Sequence, residues 1–149
     1  MKTVEFALAL EETLAEKLET FKDDALLRWV SEKEKEVLGL LQEVADCEPQ
    51  KHMYPALDPE WANLPPEIEM REYSLPETLE LLNLVWLMQK TAQYYQQAAN
   101  DTPYPSQQIF FASLQQWKLL LRKRLEGAAR HAHSRLWQEL GFSPFPWEL

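Results

Sequence analysis

Apolar residues recur at helical spacing along most of the chain. Val4, Leu8, Leu14 or Ala15, and Leu18 share one face of a 3.6-residue repeat, with Glu11, Glu12, Glu16, Lys17 and Glu19 between them. This predicts an amphipathic helix to about residue 20. Lys22-Asp23-Asp24 breaks it, and Asp23 or Asp24 is placed to cap the next helix. That second helix is predicted from Ala25 to about Ala45, burying Leu26, Leu27, Val30, Val37, Leu40, Leu41 and Val44. Two helices across so short a turn form an antiparallel hairpin.

Residues 46–76 differ in character, with Pro49, Pro55, Pro59, Pro65, Pro66 and Pro76 among Met53, Tyr54, Trp61 and Ile68. A long connection that carries packing aromatics reads as an ordered crossover running along a bundle. Ser74-Leu75-Pro76-Glu77 is a helix start: an N-cap, an early proline, and a glutamate placed to complete a capping box. The third helix runs to about Ala99, with Leu79, Leu82, Leu84, Val85, Leu87, Ala92 and Tyr95 as apolar positions. Asn100 to Pro105 ends it, and Ser106 is read as the cap of a fourth helix from Gln107 to about Leu140. Gly127 is read as a bend or a close contact, and Gly141 as a C′ stop. The tail 141–149 is too apolar to float and is expected to dock on the bundle or on a partner.

The second half of the chain repeats the first. With Val4–Leu41 set beneath Met88–Leu125, a shift of 84 positions, Leu10 falls on Tyr94 and Ala15 on Ala99. Leu26 and Leu27 then fall on Phe110 and Phe111, Val30 on Leu114, and Leu41 on Leu125. The expected fold is all-α, a four-helix bundle of two repeated antiparallel hairpins joined by a long Pro-rich crossover. Its parts are hairpin 1 at about 4–45, crossover 46–76, hairpin 2 at about 77–140 and tail 141–149, in a single domain over 1–149.

Composition narrows the function classes. With 149 residues, 46% hydrophobic and 26% charged, the chain is one globular domain able to bury a core. Its 3 glycines against 10 prolines suit long helices with stiff connections. A net charge of −9 repels nucleic-acid phosphates and acidic membrane surfaces alike. The basic run from Lys118 to Arg124, with Arg130 and Arg135 beyond it, reads as the solvated face of a helix whose C-terminal half favours cations. Cys47 is alone, so no intrachain disulfide forms. No apolar run approaches the roughly 20 residues of a membrane span, and no signal-peptide pattern opens the chain. A cytoplasmic location is expected.

Each hairpin resembles the half-repeat of ferritin-like proteins, in particular their rubrerythrin-like branch, which reads approximately E-x-x-A-x-x-F-Y-x-x-x-A, a short turn, then L-F-x-x-L-A-x-x-E-x-x-H. The second hairpin, M-Q-K-T-A-Q-Y-Y-Q-Q-A-A continuing to Q-I-F-F-A-S-L-Q-Q-W-K-L-L-L, matches that spacing without a gap, and V-E-F-A-L-A-L-E-E-T-L-A with A-L-L-R-W-V-S-E-K-E-K-E-V-L matches it too. The resemblance implies a ferritin-like bundle in which carboxylates from four helices and two histidines hold a pair of metal ions. Carried onto this chain, the leading glutamates fall on Val4 and Met88, the E-x-x-H glutamates on Glu34 and Lys118, and the histidines on Val37 and Leu121. One of the six positions keeps a ligand type. Two hard cations in a bundle core need several anionic oxygens, so the metal site is expected to be lost and no cofactor is assigned. The alternative is iron or manganese held by Glu5, Glu11 and Glu34 in a shifted register.

Loss of the metals leaves a physical question about the remaining charges. If Glu34 and Lys118 face each other, the ammonium stands in for the metal as counter-charge. Glu11, Glu34, Tyr95 and Lys118 then form a buried polar cluster, the Tyr95 hydroxyl turning to Glu34 or Lys118. The competing reading leaves Glu34 and Lys118 as solvated surface residues. Elsewhere the sequence offers little chemistry. His131 and His133 are two apart on one helix and point away from each other, as surface residues or tail contacts. His52 and Met53 near Cys47 lack the second cysteine of an established metal motif. Gly39, Gly127 and Gly141 are too scattered for a phosphate loop, and no nucleophile elbow is present. Tyr94, Tyr95, Phe110, Phe111, Trp86, Trp117 and Trp137 serve as core or as the lining of a ligand pocket.

No residue is assigned a catalytic role. The expected function is a non-catalytic bundle that binds a protein or small ligand, with a homodimer among its assemblies, through the tail FSPFPWEL and the acidic first hairpin. The alternative is a rubrerythrin-like metal-binding oxidoreductase or peroxidase with a rearranged carboxylate site. A third expectation is an unrelated helical chaperone-like protein.

Overall fold

Four α-helices carry the chain: α1 Lys2–Leu18, α2 Ala25–Asp46, α3 Leu75–Asp101 and α4 Pro105–Glu139. A 3-10 turn, Glu19–Phe21, closes α1 and turns Phe21 into the core. The structure is a computed structural model that describes residues 2–21, 24–46, 54–55, 57–58, 60–61 and 73–139, and among the described residues there is no strand. Cys47, His52, Met53, Ile68, Gly141, the tail and Asp23 lie outside the described residues.

Local chemistry sets the helix ends. Asp24 caps α2, its Oδ1 accepting from the Leu27 N–H at 3.1 Å while its carbonyl accepts from the Arg28 N–H at 2.8 Å. The Tyr73 hydroxyl donates to the other oxygen of Asp24. Ser74 caps α3 in a complete capping box: Glu77 N–H donates to the Ser74 hydroxyl at 3.3 Å, and Ser74 N–H to the Glu77 carboxylate at 3.0 Å. Helix α4 begins earlier than its hydroxyl signal implies. Pro105 occupies the first position, where a missing N–H costs nothing, and the Tyr104 carbonyl accepts from Gln108 N–H at 3.0 Å. Ser106 is therefore not the cap; its hydroxyl accepts from the Tyr54 N–H at 3.3 Å and ties the crossover to the helix. Gly127 is exposed within an uninterrupted stretch of α4 and makes no core contact.

Contacts fix the helix directions. The Tyr94 hydroxyl donates to the Thr3 carbonyl at 2.8 Å, and the Tyr94 ring lies 4.9 Å from that of Phe6. Later in α1 and earlier in α3, Leu14 and Leu87 share a cleft, so the two helices are antiparallel. Tyr73 and Asp24 meet just ahead of α3 and α2, so those two helices start at the same end. The order is up, down, crossover, down, up. Burial recurs at the 84-residue offset seen in the sequence: Val4 and Met88, Glu11 and Tyr95, Leu27 and Phe111, Val30 and Leu114, Glu34 and Lys118, Val37 and Leu121, and Leu41 and Leu125 are each at most 2% exposed.

The apolar core has two parts. One gathers Leu14, Leu18, Leu27, Leu84, Met88 and Leu125. The other gathers Val4, Val37, Leu41, Tyr95, Phe111 and Leu114. Described pieces of the crossover pack on the second part. Trp61 stacks on Trp117 at 3.9 Å with the rings nearly parallel, and Tyr54 meets Phe110 edge-on at 5.1 Å. The Trp117 indole N–H donates to the Asp58 carbonyl at 3.0 Å, satisfying a donor that burial would otherwise strand.

Candidate functional site: a charged layer inside the core

Each helix sends one polar residue to the level between the two apolar clusters. On α1, Glu11 lies one turn after Ala7 and one turn before Leu14; on α2, Glu34 sits between Val30 and Val37. On α4, Lys118 sits between Leu114 and Leu121, and on α3 Tyr95 lies between Met88 and Ala98. These neighbours are buried, so helical spacing carries the polar residues inward with them. Glu11, Glu34, Tyr95 and Lys118 are all 0% exposed.

The Lys118 ammonium donates to Glu11 Oε2 at 2.9 Å and to Glu34 Oε1. Charge-assisted bonds of this kind offset part of the cost of removing three ions from water. They leave gaps. Glu11 Oε1, Glu34 Oε2 and the Tyr95 hydroxyl have no hydrogen-bond partner. Two carboxylates against one ammonium also leave a surplus negative charge if all three are ionised. Burial raises the Glu11 carboxyl above the ordinary glutamate range, with Lys118 pulling against it. Burial lowers the Lys118 ammonium, with Glu11 opposing the shift. The Tyr95 hydroxyl is held well above the usual tyrosine value by burial first and then by the charge of Glu11.

The basic run that begins at Lys118 thus divides: Lys118 points into the core, while Lys123 is exposed. Tyr95 belongs to the layer, but its hydroxyl is bonded to neither Glu34 nor Lys118. His131 is exposed. Trp86, read as core or pocket lining, is 56% exposed, and Leu79 and Leu82 also face outward. Helix α3 is apolar on both sides, and its buried face is built instead from Thr78, Leu81, Leu84, Met88, Thr91, Ala92, Tyr95 and Ala98.

The residues do not fit a pair of metal ions. All six positions at which the resemblance would place ligands are 0% exposed, and four of them are Val4, Val37, Met88 and Leu121. The fifth, Glu34, is engaged by the sixth, Lys118. Glu5, the substitute carboxylate of the shifted register, is exposed on α1 while Glu11 and Glu34 are buried. Among the described residues no group of three histidine, cysteine, aspartate or glutamate side chains is arranged to hold a metal.

A second feature lies at the end of the bundle where α3 turns into α4. There an open cavity of about 410 Å³ is lined by Tyr54, Tyr94, Tyr104, Phe111, Asp101 and Gln107, among others. Thr102 donates to Gln107 at 2.7 Å and Gln97 to Asp101 at 2.9 Å, so its polar wall is internally bonded.

Fold and site together define an all-helical bundle with a lysine-centred charged layer in its core. No protein-family model, characterised protein or solved structure matches the chain. No helix among the described residues is long and apolar enough to cross a membrane.

Proposed function

We propose that this protein is a ferritin-like bundle, of the rubrerythrin-like kind, in which a lysine has replaced the cations of the core. What remains is a non-catalytic, cytoplasmic module that binds a protein or a small ligand. The observation that carries this reading is the Lys118 ammonium seated between Glu11 and Glu34 at full burial. A fixed cation of the protein supplies the counter-charge that a metal supplies elsewhere, so the layer holds the helices together and performs no reaction. The recurrence of burial at the 84-residue offset and the shared direction of α2 and α3 support descent from two like hairpins. Helices of equal direction need a long crossover between them. The cavity beside Tyr54 and Tyr104 offers a place for a small ligand.

The test is elemental analysis of protein expressed in iron- and manganese-supplemented medium. Metal well below stoichiometry is the expected result. About two ions per chain, the complement of a dimetal bundle, would make the oxidoreductase reading primary and overturn this one.

A further inference from the structure

Helix α3 carries a second apolar face, which stands exposed among the described residues. Leu75, Leu79, Leu82 and Trp86 are 58%, 58%, 46% and 56% exposed. At 3.6 residues per turn these four fall within about 60° of one another, and about 160° from the buried row that includes Leu81, Leu84 and Met88. They form a straight stripe roughly 16 Å long on the outward side of the helix. Scattered surface leucines are ordinary, but four large apolar side chains in line are not.

We infer that this stripe is the contact between two copies of the chain, packed as antiparallel α3 helices about a two-fold axis. The spacing of the stripe is 4, 3, 4, the interval of a helix–helix seam, and it reads the same in both directions. An antiparallel copy centred between Glu80 and Leu81 sets Leu75 against the partner's Trp86 and Leu79 against the partner's Leu82. The same row on both molecules completes itself, as a two-fold interface requires. Charge permits the approach. The chain carries −9, so most of its surface repels a second copy, yet the positions bordering the stripe are Asn83, Gln89, Lys90 and Gln93. No carboxylate is among them, and the Lys90 ammonium lies 5.4 Å from the Trp86 ring centroid, leaving the outer edge of the indole to a partner.

Area sets the strength. With about half of each side chain exposed, the stripe offers on the order of 400 Å² per copy, against roughly 800 Å² per partner in a standard interface. The association is therefore weak and fast, a monomer–dimer equilibrium with Kd in the range of about 10–1,000 μM. It strengthens with salt, because screening relieves the repulsion between two acidic molecules.

This inference deepens the binding-module reading, and the two fail separately, since one is read by metal content and the other by mass. The experiment is sedimentation equilibrium of the full chain over a concentration series at low and moderate salt, alongside Leu79→Glu and Trp86→Glu. Both sites are about half exposed, so the variants fold, and circular dichroism with thermal melting verifies it. Ile109→Glu, at an exposed apolar position on α4, is the control. The expected result is a concentration-dependent dimer that salt strengthens, that each stripe variant weakens roughly tenfold or more, and that Ile109→Glu leaves unchanged. A chain monomeric at every concentration would overturn the inference, and so would a dimer indifferent to Leu79→Glu. A monomer whose melting temperature falls sharply in Leu79→Glu or Trp86→Glu would assign the stripe to another segment of the same chain and equally end it.

Discussion

Lys118→Met is the sharpest perturbation of the core, because it keeps the length and apolar stem of the side chain and removes only the charge. In the native layer the ammonium is the hydrogen-bond donor to both Glu11 and Glu34, and all three residues are 0% exposed. Removing it strands two buried carboxylates that already have one unpartnered oxygen each. Breaking one side of a buried ion pair costs about 3–5 kcal/mol. Domains of this size are stable by about 5–15 kcal/mol, so about a fifth or more of the total is at stake. At about 2–4 °C per kcal/mol, a loss of about 3–5 kcal/mol lowers the melting temperature by roughly 6–20 °C. The triple variant Glu11→Met/Glu34→Met/Lys118→Met removes the whole layer and replaces it with side chains of similar length. It is expected to recover to wild-type stability or above, because the desolvation cost disappears together with the attraction. Urea denaturation of the three single variants and the triple measures the coupling. Effects that add to within about 0.5 kcal/mol would refute the argument, since independent surface charges would behave in that way.

Two further outcomes arise from the same layer. The raised Glu11 carboxyl binds a proton in the folded chain over a pH range in which the unfolded chain has released it. Stability therefore falls as pH rises from the ordinary glutamate value through the folded one, by up to about 1.4 kcal/mol per pH unit. Urea midpoints measured from pH 5 to 8 should show this slope in the wild type and lose it in Glu11→Gln; an equal slope in both would sink the assignment. Tyr95→Phe removes a buried hydroxyl that has no hydrogen-bond partner. It should be neutral or stabilising by up to about 1 kcal/mol, and a loss larger than that on urea denaturation would mean the hydroxyl is paired.

The sequence made the helices readable because their signals are local. Apolar spacing drew α1 and α2, and Asp24 and Ser74 with Glu77 set two helix starts through bonds spanning three residues. The charged layer is only half legible: the repeat aligns Glu34 with Lys118 and Glu11 with Tyr95, but the same residues read equally well as solvated surface. What the sequence hid depends on distant partners. Ser106 has the chemistry of a cap, but Tyr54, 52 positions away, claims its hydroxyl. The outward turn of Leu79, Leu82 and Trp86 could not be read because α3 is apolar on two sides, and periodicity alone does not say which side meets the core. Lys118 looked like part of a solvated basic run until the buried turns on either side of it, Leu114 and Leu121, fixed its direction.

The pairing of Glu34 with Lys118 has a consequence for symmetry. The two residues stand 84 positions apart, the offset that relates one hairpin to the other. In an assembly of two identical hairpins the same pairing would bring glutamate to glutamate or lysine to lysine, and burial of either couple would hold one member neutral. Opposite charges at that place are open only to a molecule whose halves are encoded separately and free to differ. The Glu34–Lys118 contact therefore makes the core asymmetric: the two halves cannot be exchanged for one another without losing it.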